Sequence, residues 1–155
     1  MLTIALPGQP ILELHHLVLD FNGTLALRGI VVDGVAERCQ HLSQHVQLHC
    51  VTGDTYGTAK EALAGLPIQL HVLPSTGQSL AKRDFVAQLQ GGVCAIGNGW
   101  NDRLMLGEAD LGLAVMMNEG AAGATLMAAR AVFTSILDAL DALSIPERMV
   151  AVLRD

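Results

Sequence analysis

Short apolar runs alternate with segments of helical periodicity along most of the chain. Each run ends in a polar or glycine-containing turn, which is typical of buried strands in a parallel sheet. The runs predict strands at 17–20, 46–51, 68–73, 93–96, 111–116 and 131–134. The intervening segments predict helices at 34–45, 55–64, 78–89, 102–107 and 121–129, a helix capped by Ser135 that runs through Leu143, and a terminal helix that begins at Pro146. This alternation indicates an α/β fold, a three-layer α/β/α sandwich with a central parallel sheet.

The first 14 residues follow a different pattern and predict an N-terminal β-hairpin. Segments 2–6 and 11–14 flank Pro7-Gly8-Gln9-Pro10, and Pro-Gly is typical of a turn. No repeat, low-complexity segment or long linker interrupts the rest of the chain. We therefore expect residues 1–155 to form a single domain.

The amino-acid composition and net charge argue against a nucleic-acid or membrane partner. The 155 residues are 51% hydrophobic and 15% charged, which argues against disorder, and the net charge is −6. An acidic chain does not favour nucleic-acid binding through phosphates, and no stretch approaches the roughly 20 apolar residues of a membrane helix. Cys39, Cys50 and Cys94 form no zinc or redox motif, and the N-terminus lacks a signal-peptide pattern. We expect a cytoplasmic protein without a nucleic-acid or membrane partner.

Asp20 carries the clearest chemical signal in the sequence. It ends the strand at 17–20, and Gly23-Thr24 follows three residues later. Ligands of an open α/β sheet bind beyond the carboxyl ends of its strands, so Asp20 is expected at the edge of a binding crevice. Gly23 has no Cβ and allows the backbone to approach a ligand closely. The alternative is a structural aspartate that caps the next turn, because short motifs recur by chance.

Three further clusters of polar residues suit phosphoryl transfer. They are Thr52 with Gly53 after the strand at 46–51, Lys82 on the helix at 78–89, and Asn98 with Asn101 and Asp102 after the strand at 93–96. Phosphoryl transfer requires a nucleophile, donors for the phosphate oxygens and cations that offset charge. A carboxylate nucleophile divides one difficult displacement into two through an acyl phosphate. Mg²⁺ prefers oxygen ligands and needs only one or two carboxylates.

The order of these clusters resembles the four motifs of the haloacid dehalogenase (HAD) superfamily. Asp20 with Gly23-Thr24 matches the first motif, Thr52 the second, Lys82 the third, and Gly-Asn-Gly-Trp-Asn-Asp at 97–102 the fourth. Residues 93–115 look most like the phosphorylation domain of P-type ATPases. The chain as a whole resembles the soluble P-type-ATPase-like family of this superfamily, over residues 17–142. The resemblance implies a Rossmann-like HAD fold.

The resemblance also implies a role for each matching residue. Asp20 would be the nucleophile, Asn22 stands at the position of the general acid and base, and Lys82 would neutralise phosphate charge. The residues implied in phosphate binding are Gly23, Thr24, Thr52, Gly53, Lys82 and Asn101. Those implied in binding Mg²⁺, the expected cofactor, are Asp20, the Asn22 carbonyl, Asn98 and Asp102.

Two asparagines depart from the superfamily pattern. Phosphatases carry an aspartate at the position of Asn22, and an amide cannot accept or deliver its proton. At Asn98 the pattern has an aspartate that binds the metal directly. Its replacement removes one formal charge, so we expect Mg²⁺ to bind weakly.

The spacing of the motifs leaves no room for a cap domain. The segments between Asn22 and Thr52 and between Thr52 and Lys82 are filled by predicted elements. An open site would accept a phosphorylated small molecule or macromolecule, or take a lid from a second subunit of a homo-oligomer. An aromatic content of 3% and the open site both argue against dehalogenase chemistry, which needs a dry pocket.

Some candidate residues have plain structural interpretations. His41 and His45 have the spacing that places two imidazoles on one helix face, but no carboxylate or thiolate ligand accompanies them, so we favour surface histidines over a zinc site. Arg83 competes with Lys82 for the phosphate role. Trp100 is expected either to flank the site or to pack within its loop, and Asp54 is interpreted as a turn residue.

The sequence favours a Mg²⁺-dependent phosphohydrolase, or an ATPase-like phosphotransfer protein, that acts through an aspartyl phosphate on Asp20. Hydrolysis of the intermediate should be slow because Asn22 replaces the acid and base. The alternative is a non-catalytic or regulatory protein that keeps a phosphate or metal pocket. Asn22 and Asn98 favour the alternative, whereas intact Asp20 and Lys82 favour the enzyme. The sequence does not identify the substrate.

Overall fold

Parallel strands with helices on both faces form the fold of the computed structural model, which describes residues 1–54 and 57–155. The strands are β1 (Leu2–Ile4), β2 (Leu12–Leu19), β3 (Ala26–Leu27), β4 (Ile30–Val31), β5 (Gln47–Thr52), β6 (Ile68–Val72), β7 (Gly92–Gly97), β8 (Leu111–Val115) and β9 (Ala131–Phe133). The helices are α1 (Val35–Leu42), α2 (Thr58–Ala62), α3 (Gln78–Gln88), α4 (Arg103–Glu108), α5 (Gly123–Ala128), α6 (Ile136–Ser144) and α7 (Pro146–Leu153), with a 3₁₀ turn at Trp100–Asp102.

The central sheet confirms the predicted α/β/α architecture. Within the described residues its strand order is β6-β5-β2-β7-β8-β9, all parallel, and β1 pairs with β2. One apolar cluster packs α1, α6 and α7 against the sheet through residues such as Cys39, Leu140 and Met149. A second packs α3 and α4 on other sheet residues through Val86 and Met105. The sheet is buried on both faces because strands such as β8 are apolar throughout.

The N-terminal segment forms the predicted antiparallel pair of strands. β1 pairs with the first half of β2, with Leu2 opposite Leu14. The second strand is longer than predicted, because the segments at 11–14 and 17–20 are one continuous strand, β2. The register of β2 against β7 shifts between Leu14 and His16. From His16 onward β2 pairs with both β5 and β7, and its residues are buried through Leu19.

A small sheet after the first motif was not predicted, and one predicted helix start lies outside the described residues. β3 and β4 form a small antiparallel sheet, with Ala26 opposite Val31, directly after the Gly23-Thr24 turn. Strands of two residues are too short for periodicity to reveal them. The predicted start of a helix at Thr55 lies outside the described residues, and α2 begins at Thr58.

The helix boundaries near the C-terminus follow their predicted caps. Ser135 Oγ accepts a hydrogen bond from the Leu137 N–H at 3.1 Å, and Pro146 opens α7. Among the described residues, every helix is too short or too polar to traverse a lipid bilayer. Neither intermotif segment holds an additional domain in the described residues, because β3, β4, α1, α2 and β6 account for their regular structure.

Three histidines form a hydrogen-bonded array across β2, β5 and β6. His16 Nδ1 lies 3.1 Å from His49 Nε2, and His49 Nδ1 lies 3.2 Å from His71 Nε2. Phe85 on α3 packs against the rings of His49 and His71. Burial, together with His16 and His71, lowers the pKa of His49 from 6.5 to about 4. The array therefore favours neutral imidazoles inside the sheet.

Acidification is expected to weaken the contribution of His49 to stability. Between pH 6.5 and about 4 the unfolded chain binds a proton at His49 more readily than the folded chain, so the contribution falls as pH falls through this window. The raised pKa of Asp20, about 6, acts in the opposite direction, so the comparison must be between variants. The free-energy advantage of the parent over His49→Gln should shrink by about 1–2 kcal/mol between pH 7 and pH 5.

Urea unfolding at several pH values measures this difference. His41→Gln, which replaces an exposed histidine on α1, is the matched control and should show a pH-independent difference. An equally constant difference for His49→Gln would contradict the predicted shift.

Candidate active site

The carboxyl ends of three adjacent strands converge on one cavity. β2, β5 and β7 are neighbours in the sheet, and Asp20, Thr52 and Asn98 stand at or just beyond their ends. The cavity has a volume of about 320 Å³. Its described lining residues are polar or glycine: Asp20, Asn22, Thr52, Gly53, Asp54, Thr58, Gln78, Asn98, Gly99 and Asn101. This is the position at which an open α/β sheet binds its ligands.

Lys82 joins two carboxylates, one of which, Asp20, lines this cavity. Its Nζ donates to Asp20 Oδ1 at 2.5 Å and to Asp102 Oδ1 at 2.7 Å. The Lys82 side chain is fully buried, on the face of α3 that packs against the sheet. A buried ammonium must be paired, and two carboxylates from different parts of the chain provide the pairing. The structure brings together three residues that lie in separate motifs of the sequence.

Asp102 is held from both sides. While Oδ1 accepts from Lys82, Oδ2 accepts from the backbone N–H groups of Asn98 and Gly99, each at 2.9 Å. Its side chain is fully buried. These bonds tie the loop after β7 to the buried ion pair. Asp102 is the N-cap residue of α4, but its side chain forms no capping hydrogen bond there, so its carboxylate serves the loop and the ion pair.

Asp20 is almost completely buried and lies next to two charged side chains, Asp102 and Lys82. Its backbone N–H donates to the Ile96 carbonyl at 3.0 Å, which fixes it at the junction of β2 and β7. Burial and the neighbouring charge of Asp102 raise the pKa of Asp20 to about 6, against the opposing effect of Lys82. Burial alone would lower the pKa of Lys82, but Asp20 and Asp102 raise it above its usual range. At neutral pH Asp20 is therefore mostly a carboxylate, and Lys82 is an ammonium.

Asn98 is anchored by protein groups at both ends of its amide. Thr24 Oγ1 donates to Asn98 Oδ1 at 3.5 Å, and Asn98 Nδ2 donates to the Gly120 carbonyl at 3.1 Å. Gly23 has a φ of 83°, and a Cβ at this position would collide with the Asn98 side chain. Glycine is thus required here for close packing as well as for its backbone angle. Gly23 and Thr24 contact the site through Asn98 rather than through the cavity lining.

Asn22 also lines the cavity and is exposed. Its Oδ1 accepts a hydrogen bond from the Gly29 N–H, between β3 and β4, at 2.9 Å. The small β3–β4 sheet thereby orients the Asn22 amide.

The other polar residues of the cavity include Gln78, which the sequence analysis did not identify. Thr52 Oγ1 accepts from the Asp54 N–H at 3.2 Å, and among residues 1–54 and 57–155 its own hydrogen has no acceptor. Asn101 Nδ2 donates to Gln78 Oε1 at 2.8 Å. The Gln78 amide occupies the space over Gly53 that a Cβ would fill. Gln78 lies one helical turn before Lys82 on α3, and this i to i+4 spacing was the only signal that could have identified it.

Three other sequence interpretations are resolved by burial and contacts. The Arg83 side chain is 41% exposed and pairs with its neighbour Asp84, so Lys82 and not Arg83 contacts the carboxylates of the site. Trp100 is 61% exposed, which excludes packing within its loop. Asp54 Oδ1 accepts from Thr58 Oγ1 and the Ala59 N–H, so it organises the start of α2 while lining the cavity.

The donors at the cavity fit Mg²⁺ in type. Asp20 and Asp102 offer carboxylates, and Asn98 and the Asn22 backbone offer carbonyl oxygens, all of which are ligands that Mg²⁺ prefers. Because Lys82 already neutralises one of the two carboxylates, the charge available to a dication is small. In residues 1–54 and 57–155, no group of three or more His, Cys, Asp or Glu side chains could hold a metal ion.

The two histidines of α1 contact each other. The rings of His41 and His45 stack edge to face, with centroids 5.6 Å apart.

The comparisons with known proteins were made on both sequence and structure. No protein-family model matches the sequence. An uncharacterized protein, MJ0073 of Methanocaldococcus jannaschii, is 46% identical over 63 residues, which span 41% of this chain and 68% of that protein.

Solved structures share the fold at low sequence identity. The 3-deoxy-D-manno-octulosonate 8-phosphate phosphatase of Moraxella catarrhalis, solved with magnesium, phosphate and KDO, superposes with a TM-score of 0.69 at 14% identity, over 90% of this chain and 90% of that one. A zinc-transporting PIB-type ATPase in its E2.Pi state superposes with a TM-score of 0.59 at 22% identity. That match covers 79% of this chain but only 20% of the pump. The chain therefore belongs to the family of MJ0073, and its fold is the HAD-type α/β fold of these phosphatase and ATPase structures.

Proposed function

We propose that the protein is a Mg²⁺-dependent phosphohydrolase that acts through an aspartyl phosphate on Asp20. One observation carries the proposal: the buried Lys82 ammonium joins Asp102 to Asp20, which lines a polar cavity. A carboxylate nucleophile with a fixed cation beside it is what phosphoryl transfer demands of a protein, and this supports the proposal. Fold likeness to phosphatases supports the same chemistry.

The proposed first step uses the free oxygen of Asp20. Oδ1 accepts from Lys82, so Oδ2 attacks the phosphorus of the ester, a new Oδ2–P bond forms, and the P–O bond to the leaving group breaks. The leaving oxygen takes its proton from water because Asn22 cannot supply one. In the second step water attacks the same phosphorus, the Oδ2–P bond breaks, and inorganic phosphate leaves. Lys82 offsets the phosphate charge in both steps.

Donors around the cavity would hold the phosphate oxygens. The Thr52 hydroxyl, the backbone at Gly53 and the Asn101–Gln78 pair all face the same cavity. Mg²⁺ bound by Asp20, the Asn22 carbonyl, Asn98 and Asp102 would supply further neutralisation of phosphate charge. We expect this binding to be weak, since Asn98 contributes no charge and its amide is already engaged by Thr24 and Gly120.

Phosphorylation of the chain tests this proposal directly. Because Asn22 cannot activate the second water, the acyl phosphate should accumulate after incubation with acetyl phosphate and Mg²⁺. Intact-mass and peptide mass spectrometry should locate a hydroxylamine-sensitive phosphate on Asp20. Asp20→Asn should abolish the label, whereas Asp54→Asn, which removes another carboxylate of the same cavity, should retain it.

Label that persists in Asp20→Asn would remove Asp20 from the mechanism. If no label forms on the parent protein with any phosphate donor tested, and beryllium fluoride does not bind with Mg²⁺, the second candidate function gains support. That candidate is a non-catalytic HAD-like protein that binds phosphate or metal for regulation. The specific observation in its favour is the anchoring of Asn98, whose amide serves protein contacts on both ends.

The absence of a cap domain among the described residues affects which phosphorylated substrates can reach Asp20. With no additional domain between the motifs in the described residues, a phosphorylated macromolecule could reach Asp20, or a second copy of the chain could supply a lid. We propose either arrangement only as a consequence of the open cavity.

A further inference from the structure

An exposed tryptophan lies in the chain between two residues that line the candidate active site. Trp100 is the only tryptophan of the chain, and its side chain is 61% exposed. It begins the 3₁₀ turn after β7, and its chain neighbours Gly99 and Asn101 both line the cavity. Tryptophan is highly buried on average, so an exposed ring next to a cavity requires a reason. No part of the proposed phosphoryl transfer uses this ring.

Arg103 fixes the ring in one orientation. Its guanidinium carbon lies 4.0 Å from the centroid of the Trp100 ring, which is cation–π distance. The same guanidinium donates from Nη1 to the Trp100 carbonyl at 2.8 Å and to Ser79 Oγ on α3 at 2.9 Å. The guanidinium covers one face of the indole, and the exposure of the side chain leaves surface for a second planar group. A platform that is already ordered avoids part of the entropy cost of binding.

The described lining residues of the cavity offer no apolar contact to a leaving group. Its described lining consists of polar residues and glycine, so it suits phosphate and metal but not a hydrophobic moiety. Trp100 is a large exposed apolar side chain between two lining residues, Gly99 and Asn101. We expect a phosphate ester bound at Asp20 to find its apolar contact there.

We infer that Trp100 and Arg103 form a stacking platform for the leaving group, and that the substrate class is a phosphate monoester whose leaving group carries a planar aromatic ring. This inference rests on the proposed function of the cavity. Stacking of an aromatic base on a protein ring is worth enough to change affinity roughly tenfold or more. Nucleosides and tyrosine both present such a ring, and the experiment separates them.

Fluorescence of the single tryptophan gives a direct test. In the full chain carrying Asp20→Asn, which prevents turnover, adenosine 5′-monophosphate, O-phospho-L-tyrosine, ribose 5-phosphate and inorganic phosphate are titrated separately. At least one aromatic ester should quench Trp100 and bind about tenfold more tightly than ribose 5-phosphate. The ester that does so identifies the source of the ring. Equal affinity for all four probes, without quenching, would overturn the inference.

Variants separate stacking from a structural role. By calorimetry, Trp100→Leu should reduce the preference for the aromatic ester about tenfold, and Trp100→Phe should restore part of it. Met127→Leu, which alters an 87% exposed side chain on α5, is the control and should leave the preference unchanged. A preference that is equal in the parent and Trp100→Leu would contradict the platform.

Turnover distinguishes the two proposals. Aromatic binding without hydrolysis by the parent protein would remove the phosphohydrolase function and keep the platform. Hydrolysis of ribose 5-phosphate and adenosine 5′-monophosphate with the same kcat/KM, unaffected by Trp100→Leu, would keep the function and remove the platform.

Discussion

Replacing Lys82 by methionine is expected to lower the free energy of unfolding by about 3–5 kcal/mol at neutral pH and to abolish phosphoryl transfer. Methionine preserves much of the buried length but leaves Asp20 and Asp102 without the ammonium that both contact, at 2.5 Å and 2.7 Å. Removing one member of a buried charge network is costly because the remaining charges cannot be solvated. Urea unfolding followed by circular dichroism measures the loss.

The chain contains a matched control for this experiment. Lys60, the only other lysine, is exposed on α2, and Lys60→Met should change stability by no more than about 0.5 kcal/mol. Mg²⁺ should recover more stability in Lys82→Met than in the parent, because the freed carboxylates can then pair with the dication. Equal unfolding midpoints for parent and Lys82→Met would show that the network does not stabilise the fold.

The second large effect is an increase in activity: Asn22→Asp is expected to raise phosphatase turnover at least tenfold. A general acid or base contributes typically about 10²–10⁴-fold in rate, and the substitution changes the volume of the side chain very little. The hydrogen bond that Asn22 Oδ1 accepts from the Gly29 N–H, at 2.9 Å, can be kept by a carboxylate. The new charge would repel Asp20 in the absence of metal, so the gain should grow as Mg²⁺ is raised.

Steady-state hydrolysis of a chromogenic phosphate ester over a range of Mg²⁺ concentrations provides the measurement. Asn118→Asp adds the same charge at an exposed turn residue that does not line the cavity, and it should leave turnover unchanged. Combination with Asn98→Asp should increase the gain by tightening the metal, since charge-assisted contacts are about twice as strong as neutral ones. A double variant that binds Mg²⁺ but stays inert would refute the acid–base account of Asn22.

Much of the fold followed from the sequence because the same residues that bury the strands also mark their ends. The run that ends at Leu19 and the turn that follows predicted both β2 and the position of Asp20, and the sheet brought Thr52 and Asn98 to the same edge. Periodicity could not find β3 and β4, which have two residues each. Nor could it show that Lys82 bridges two carboxylates, because that contact joins residues 62 and 20 positions apart.

Gln78 and the histidine array show why side-chain partners are harder to predict than strand ends. Gln78 resembles any polar residue at the start of a helix until its contact with Asn101 is seen. His16, His49 and His71 each occupy an ordinary strand position, and their contacts depend on the order of β2, β5 and β6 in the sheet. Sequence patterns specify which face a residue occupies but not which distant side chain it meets there.

A single backbone oxygen sets the tautomers of all three histidines. His16 Nε2 lies 3.1 Å from the Gln90 carbonyl, which can only accept, so this nitrogen carries the hydrogen. With neutral rings, His16 Nδ1 then accepts from His49 Nε2, and His49 Nδ1 accepts from His71 Nε2. One extra proton fits on His71 Nδ1 with every bond kept. A second would set two N–H groups against each other wherever it is placed, so the array can store one proton and no more.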